Sequence, residues 1–351
     1  MKKTGQLFLL GVCTAAVMFI MFPETARQGA KCSLSLCGET LVPGLFPFMV
    51  LGNMLVFCGG GEVLGKIFSP FVKKVLKMNG ACALPIVAGL ISGVPIGACI
   101  TAEMVKKGEI SPGEGERLLC LCNNPGPVFM LSAVPYMLGC DKKTGIILWA
   151  SVIISSFVSM LFIKGKCKTV ETCKNEIEVK SFAVCMIESV KKAVISMLNV
   201  CGFVVFYGTL TELIPNSLGE GKTVLTMIAE MTLGCRQLGN AGIPKNIRVI
   251  FASAVLGWTG LSAHSQVAAS VLATGISMKN YFKGKAIQMA LSPVITIVLI
   301  KVFPGTVAVS VTKTNPAIIT VALSFMVLIL VIIFALLILS IFSGSRKQVK
   351  R

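Results

Sequence analysis

The residues that could bind a solute or carry a proton lie in a few short stretches of an apolar sequence. One stretch, GWTGLSAHS at 257–265, contains His264, the one histidine of the chain. An imidazole within an apolar segment can bind a substrate, carry a proton or donate to a neighbouring helix, and ionisable groups inside membranes are usually functional. We therefore predict that Ser262, His264 and the nearby Gln266 contact a substrate.

A second stretch, SGVPIGA at 92–98, places helix-breaking residues inside an apolar run. Free N–H groups at such breaks favour anions, whereas unwound carbonyl groups favour cations or hydroxyls. The alternative is that the glycines only let two helices pack closely. The predicted substrate contacts at the two stretches are Ser92, Gly93, Pro95, Gly97, Gly257 and Gly260.

A third break carries two amide side chains. The sequence NNPGP at 123–127 interrupts an apolar run, and its Asn123, Asn124 and Gly126 are predicted to contact the backbone or the substrate.

Two carboxylates are candidates for coupling to a proton or a cation. Glu103 follows the first break by two helical turns and either faces a cavity or pairs with Lys106 or Lys107 near the cytoplasmic edge. Glu230 lies in a short amphipathic segment and points either inward or to solvent.

The sequence offers no set of residues for catalysis or metal binding. GEGKT at 219–223 is not a phosphate-binding loop, because Asn216 stands where that motif needs glycine. No acid close in sequence completes a triad with Ser262 and His264, and one histidine gives no zinc ligand set. We expect no enzyme activity, no metal and no cofactor. Most of the 14 cysteines lie in apolar runs, where a thiol behaves as a small hydrophobe.

Composition places the chain in a membrane. Of its 351 residues 54% are hydrophobic and 14% charged, and the mean hydropathy is +0.84. The net charge of +18 comes from basic residues in short loops, which indicates cytoplasmic loops beside anionic lipid rather than nucleic-acid binding.

The apolar runs predict an all-α polytopic membrane protein with about seven transmembrane helices. The predicted parts are a retained first helix with an external loop (1–40), a first repeat half (41–163), a basic cytoplasmic linker (164–189), a second half (190–303) and a last helix with a basic tail (304–351).

The segment 81–108 predicts either one kinked span or a re-entrant hairpin. Two arms of about 10 residues would each reach about 15 Å, half of a hydrocarbon core about 30 Å thick. Basic residues on both flanks favour a hairpin that returns to the cytoplasmic side.

The segment 247–275 predicts a matching hairpin in the second half. A shift of 166 residues places Pro127 on Pro293, and a one-residue gap then places Gly93 on Gly260. The two halves then have opposite orientations, as in the inverted repeats of transporters. The four predicted breaks, at 92–98, 123–127, 257–265 and 292–293, enclose a mid-membrane cavity. This count leaves the basic tail outside; a crossing by 223–235 would bring it inside and remove the inversion.

Two runs carry a family resemblance. SGVPIGACITAEMVKKGEISPGEGERLLCLCNNPGPVFMLSAV (92–134) and LGWTGLSAHSQVAASVLATGIS (256–277) resemble the YlbJ-type sporulation integral membrane proteins, within the wider group that has nucleoside-recognition (Gate) domains. The resemblance covers roughly residues 40–303. It implies a fold similar to the concentrative nucleoside transporters, with two opposed re-entrant hairpins.

The resemblance also implies transport of dipicolinic acid across the outer forespore membrane of an endospore-forming bacterium, from the mother-cell side. The two hairpin tips and the 123–127 break would line the site. Nucleoside transporters carry acidic and amide groups in their tips, whereas the first tip here has no acid.

We therefore predict a multi-pass sporulation membrane protein that transports a small dianion, with anionic lipid at its basic loops. A nucleoside or other small-solute symporter, and a non-transporting spore-maturation assembly factor, are the alternatives. No nucleic-acid partner is expected, and an oligomer is compatible with the sequence.

Overall fold

The computed structural model describes residues 3–163, 181–272 and 274–304, and within them every regular element is a helix. Most of the predicted linker (164–180) and the predicted last span and tail (305–351) lie outside the described residues.

The first half contains nine α-helices. They are α1 (Lys3–Met21), α2 (Pro23–Leu36), α3 (Val42–Phe57), α4 (Gly60–Phe71), α5 (Ala83–Ser92), α6 (Ile96–Lys106), α7 (Pro112–Cys122), α8 (Val134–Leu138) and α9 (Lys142–Leu161). Three π turns continue or precede them at Cys37–Leu41, Val72–Leu76 and Phe129–Ala133.

The described part of the second half contains six α-helices. They are α10 (Phe182–Glu212), α11 (Glu220–Ala229), α12 (Met231–Asn240), α13 (Lys245–Trp258), α14 (Gly260–Val271) and α15 (Met278–Val302).

The predicted external loop at 23–40 is wrong, because these residues are helical and continue into α3. Pro23 occupies the first turn of α2, where its missing N–H costs nothing. Gly29 lies against Glu212 and Thr209, which lets α2 pack closely on α10. Tertiary packing therefore orders a segment whose polar composition indicated a loop.

Four described helices are long and apolar enough to cross a membrane. They are Pro23–Phe57, Lys142–Leu161, Phe182–Glu212 and Met278–Val302. A fifth candidate is the pair Ile67–Leu76 and Gly80–Ser92, which is bent by 109°. These lengths and compositions support the prediction of an all-helical membrane protein.

Two pairs of short helices fold back on themselves. α5 and α6 pack against each other around residues 93–95, and α11 and α12 do so around Glu230. In the second pair the Gln237 amide donates to the Thr226 hydroxyl at 3.4 Å, and Gly234 lies against Met227. The break at Glu230 is one that the sequence did not predict.

Two other helices are interrupted without folding back. The end of α7 is followed by an unwound segment at 123–128. α13 and α14 separate at Thr259, and α13 packs on α9, α12 and α15 whereas α14 packs on α6, α10 and α11. The hairpin predicted at 247–275 is therefore wrong, although its break is correctly placed. The break expected at Ser292 and Pro293 is also wrong, since α15 continues through both residues.

The order of packed pair, interrupted helix and long helix occurs in both halves. The long helices α9 and α15 begin at residues 142 and 278, which are 136 apart, and the packed pairs begin at 83 and 220, which are 137 apart. The predicted register of 166 is wrong. Gly93 lies in the turn of a packed pair whereas Gly260 begins α14, and Pro127 lies in an unwound segment whereas Pro293 lies within a helix.

Candidate functional site

The turn of the first packed pair lies directly against the unwound segment after α7. Gly93 has a φ of 75°, and a Cβ there would lie 2.5 Å from the Gly126 nitrogen. The Val94 N–H donates to the Asn124 carbonyl at 3.0 Å. Gly97 contacts the Cys122 carbonyl in the same way. These glycines therefore bring two backbones together, as the close-packing alternative predicts.

The second packed pair meets the second break in the same manner. Gly260 has a φ of 81°, and a Cβ there would lie 3.0 Å from the Met231 nitrogen and 3.1 Å from the Ala229 carbonyl oxygen. The Trp258 indole donates to the Ile228 carbonyl at 3.1 Å. Each turn thus lies against the interrupted helix that follows it in sequence.

Two prolines determine the chemistry of the first break. A helical carbonyl accepts from the N–H four residues later, so Pro125 and Pro127 leave the carbonyls of Leu121 and Asn123 without that donor. The Asn124 side chain donates to the Leu121 carbonyl at 2.8 Å. The Asn123 carbonyl is satisfied from another helix, by the ammonium group of Lys285 at 2.7 Å.

Lys285 is the charged group at the centre of this network. Its Nζ also donates to Asn124 Oδ1 at 3.1 Å and to Gln288 Oε1 at 2.9 Å. All three donors of the ammonium are therefore used, and all three acceptors are neutral oxygens. The side chain is completely buried.

The inner face of α15 carries a stripe of buried polar residues. Gln288 Nε2 donates to Asn124 Oδ1 at 2.8 Å and to the Val152 carbonyl at 3.0 Å. One turn later, the hydroxyls of Ser292 and Ser155 lie 2.8 Å apart. The stripe consists of Tyr281, Lys285, Gln288, Ser292 and Thr296, each completely buried.

Neither Lys285 nor this stripe was predicted from the sequence as part of a site. The signal was available, because residues 281, 285, 288, 292 and 296 recur at the spacing of one helical face.

His264 lies within a cluster of aromatic rings beside the stripe. Its ring is 4.3 Å from the Trp258 ring and 5.1 Å from the Phe282 ring. Nδ1 lies 3.0 Å from the Tyr281 hydroxyl, and Nε2 has no hydrogen-bond partner among the described residues. The imidazole is therefore buried, as a substrate ligand or packing donor requires, with one nitrogen uncommitted.

Glu230 is buried and caps α12. Its carboxylate accepts from the Leu233 N–H at 2.7 Å and from the Thr232 hydroxyl at 3.1 Å. The solvated alternative is therefore excluded, and both oxygens are engaged within the turn.

Glu103 lies away from the breaks, on the partly exposed part of α6. Its carboxylate pairs with Lys192 of α10 at 2.8 Å and with Lys107 at 3.3 Å. This geometry fits the edge position rather than the cavity position that the sequence left open.

The remaining predicted residues are buried near the breaks. Ser92 donates to the Phe48 carbonyl at 2.8 Å, and a Cβ on Gly257 would lie 2.6 Å from Ser292 Oγ. Ser262 is buried and its hydroxyl has no partner among the described residues. Gln266 is also buried. Pro95 follows the tip and precedes α6.

Comparison with known proteins finds a relative among the sporulation membrane proteins. The chain is 23% identical over 323 residues to the sporulation integral membrane protein YlbJ of Bacillus subtilis (strain 168). The alignment covers 80% of this chain and 79% of that protein. The chain is similar to a sporulation membrane protein. No family model matches it, and no solved structure matches it significantly. Together with the apolar helices, this similarity indicates a multi-pass integral membrane protein.

Proposed function

We propose that this chain is a sporulation membrane transporter that moves dipicolinate, a small dianion, across the outer forespore membrane. The observation that carries the proposal is the buried ammonium of Lys285, whose hydrogen-bond partners are all neutral. An uncompensated positive charge in a medium of low dielectric strongly favours an anion nearby. The name of the similar protein from Bacillus subtilis supports the sporulation context.

Uncommitted polar atoms on α14 supply contacts for carboxylate oxygens. When the Tyr281 hydroxyl donates to His264 Nδ1, the neutral imidazole carries its proton on Nε2, which has no partner among the described residues. The buried hydroxyl of Ser262 is also without a partner in that set. In this proposal a fixed charge and neutral donors together hold the dianion.

The two packed pairs are, in this proposal, re-entrant hairpins that enter from opposite sides. The amino ends of α7 and α15 meet, since the Glu116 carboxylate accepts from the Ser277 N–H at 3.3 Å and from the Asn280 amide at 2.5 Å. These two amino ends define one face of the protein. The end of α8 lies at the opposite face, where the Leu138 carbonyl accepts from Arg248 at 3.3 Å. The face at the amino ends of α7 and α15, near Lys106, Lys107, Lys279 and Lys283, is assigned to the cytoplasm in this proposal.

This assignment gives a consistent path through the membrane. α7 and α8 cross outward, α9 returns, α10 crosses outward, and the α11–α12 pair enters and leaves from outside. α13 and α14 then cross inward and α15 outward. By its sequence alone, the apolar run 317–342 is long enough to cross once more, which would bring the basic tail to the cytoplasmic side. The inverted repeat and the placement of the basic tail, which conflicted in the sequence-based topology, are then both satisfied.

Reporter fusions test this path. A reporter inserted after Gly242 is expected on the external side, and one fused after Arg351 on the cytoplasmic side. The same side for both fusions would exclude the path.

Uptake by the purified protein in liposomes tests the substrate. We expect accumulation of labelled dipicolinate but not of uridine, and a loss of at least about tenfold in Lys285→Gln and His264→Ala, which corresponds to about 1.4 kcal/mol. Glu103→Gln serves as the matched control, because its carboxylate lies away from the breaks. Melting curves establish that each variant is folded.

Two results would contradict the proposal. Uridine uptake without dipicolinate uptake would favour the nucleoside symporter. Uptake of neither, with normal spore dipicolinate in strains that carry both variants, would favour the assembly factor.

A further inference from the structure

We infer that the ammonium group of Lys285 fills a binding site for a monovalent cation. If the Lys285 side chain were absent, the three oxygens that accept from its ammonium would bind a dissolved monovalent cation instead. Its consequence for coupling rests on the proposed transport function, whereas the cation site itself does not.

The ligand set around the ammonium is that of a small hard cation. The Asn123 carbonyl, Asn124 Oδ1 and Gln288 Oε1 lie 2.7, 3.1 and 2.9 Å from Nζ. One is an unwound backbone carbonyl and two are amide oxygens, which are the neutral oxygens that replace the hydration shell of Na⁺ or K⁺ in membrane proteins. A buried carboxylate, the usual partner of a structural lysine, is not among these partners.

The oxygens are fixed independently of the lysine. Pro127 removes the helical donor that the Asn123 carbonyl would have, so this oxygen is free to bind a cation. Asn124 is held by its own bond to the Leu121 carbonyl and by the Gln288 amide. Removal of the Lys285 side chain therefore leaves a preformed set of acceptors rather than a collapsed one.

The consequence for transport is that no dissolved cation is needed at this position. The charge is attached to α15 and cannot be released with the substrate. Dipicolinate uptake by the unmodified protein is therefore expected to be the same when Na⁺ and K⁺ are replaced by choline.

Thermal melting of purified Lys285→Ala, without any substrate, tests the cation site. At equal ionic strength, NaCl, KCl or NH₄Cl is expected to raise its Tm by about 2–4 °C relative to choline chloride, with a saturating dose response. The unmodified protein is expected to melt at the same temperature in all four salts.

Two further variants separate this effect from general salt stabilisation. Lys285→Met fills the space without a charge and is expected to show no cation response. Lys285→Ala combined with Gln288→Leu lacks one of the three oxygens and is expected to lose most of the Tm rise.

An equal melting temperature of Lys285→Ala in all four salts would overturn the inference. So would the same response in Lys285→Met. If Lys285→Ala cannot be purified folded, a dependence of uptake by the unmodified protein on a Na⁺ or K⁺ gradient would overturn it, and uptake that is equal in choline would support it. Because the melting test uses no substrate, its failure is distinct from a failure of dipicolinate transport.

Discussion

The contact between Gly93 and Gly126 gives a sharp test of how the first packed pair is held. Gly93 has φ 75° and ψ −165°, a region that is essentially restricted to glycine and costs another residue about 1–3 kcal/mol. A Cβ would also lie 2.5 Å from the Gly126 nitrogen and 2.8 Å from its Cα, which adds about 1–3 kcal/mol of overpacking. Gly93→Ala is therefore expected to lower the free energy of unfolding by about 2–6 kcal/mol.

Gly275→Ala is the matched control for this substitution. Gly275 has a φ of 76°, but nothing lies within 4 Å of the Cβ position, so alanine there carries the backbone strain alone. In thermal melts in detergent, Gly93→Ala is expected to melt at least about 2 °C below Gly275→Ala. In liposomes it is expected to lose dipicolinate uptake. Equal melting temperatures of the two variants would refute the argument that close backbone packing holds the tip.

Three further predictions concern the carboxylates. Asp141 caps α9 and accepts from the Thr144 N–H at 3.0 Å, a bond that lowers the pKa of Asp141. Asp141→Ala is expected to lower the free energy of unfolding by about 1 kcal/mol at neutral pH relative to the control Lys143→Ala. Because the pKa of Asp141 is lower in the folded state, this loss of stability is expected to shrink below about pH 4. A loss that is constant with pH would contradict the prediction. Glu230→Ala is expected to melt at a lower temperature than Glu230→Gln, because glutamine keeps one acceptor for the α12 cap. The expected difference in the free energy of unfolding is about 1 kcal/mol. Equal melting temperatures would show that the cap is dispensable. Glu103→Gln is expected to change the free energy of unfolding by at most about 1 kcal/mol and to leave uptake intact, since the ion pairs of Glu103 are partly exposed. Lost uptake with an unchanged Tm would instead indicate that Glu103 is a coupling residue.

The sequence located the breaks that are caused by backbone-restricting residues. Gly93, the NNPGP segment and the GWTG segment interrupt helices where they were predicted to do so. Glycine and proline act locally, so a sequence pattern can reveal them. Pro293 is the exception, because packing of α15 on α9 and α13 keeps that helix continuous.

The break at Glu230 and the Lys285 network depend on tertiary structure, and the sequence did not predict them. The run around Glu230 has neither glycine nor proline, and its turn forms because the carboxylate caps α12 while the chain folds back onto α11. Lys285 was not predicted as a site residue because its partners, Asn123 and Asn124, lie more than 160 residues away. The offset between the halves was also misjudged, since matches among apolar residues carry little information.

The polar stripe of α15 has a consequence for how the protein is made. Lys285 lies two turns from the amino end of α15 and is completely buried. A lysine costs up to about 2.5–3.5 kcal/mol to insert at the centre of a spanning helix, and Gln288 adds to the cost for α15. The acceptors that offset the cost belong to α9 and the 123–124 segment, both of which emerge from the ribosome earlier. Insertion of α15 therefore depends on a first half that is already folded in the membrane. The second half expressed alone is expected to leave α15 outside the bilayer, and co-expression of the first half to restore it.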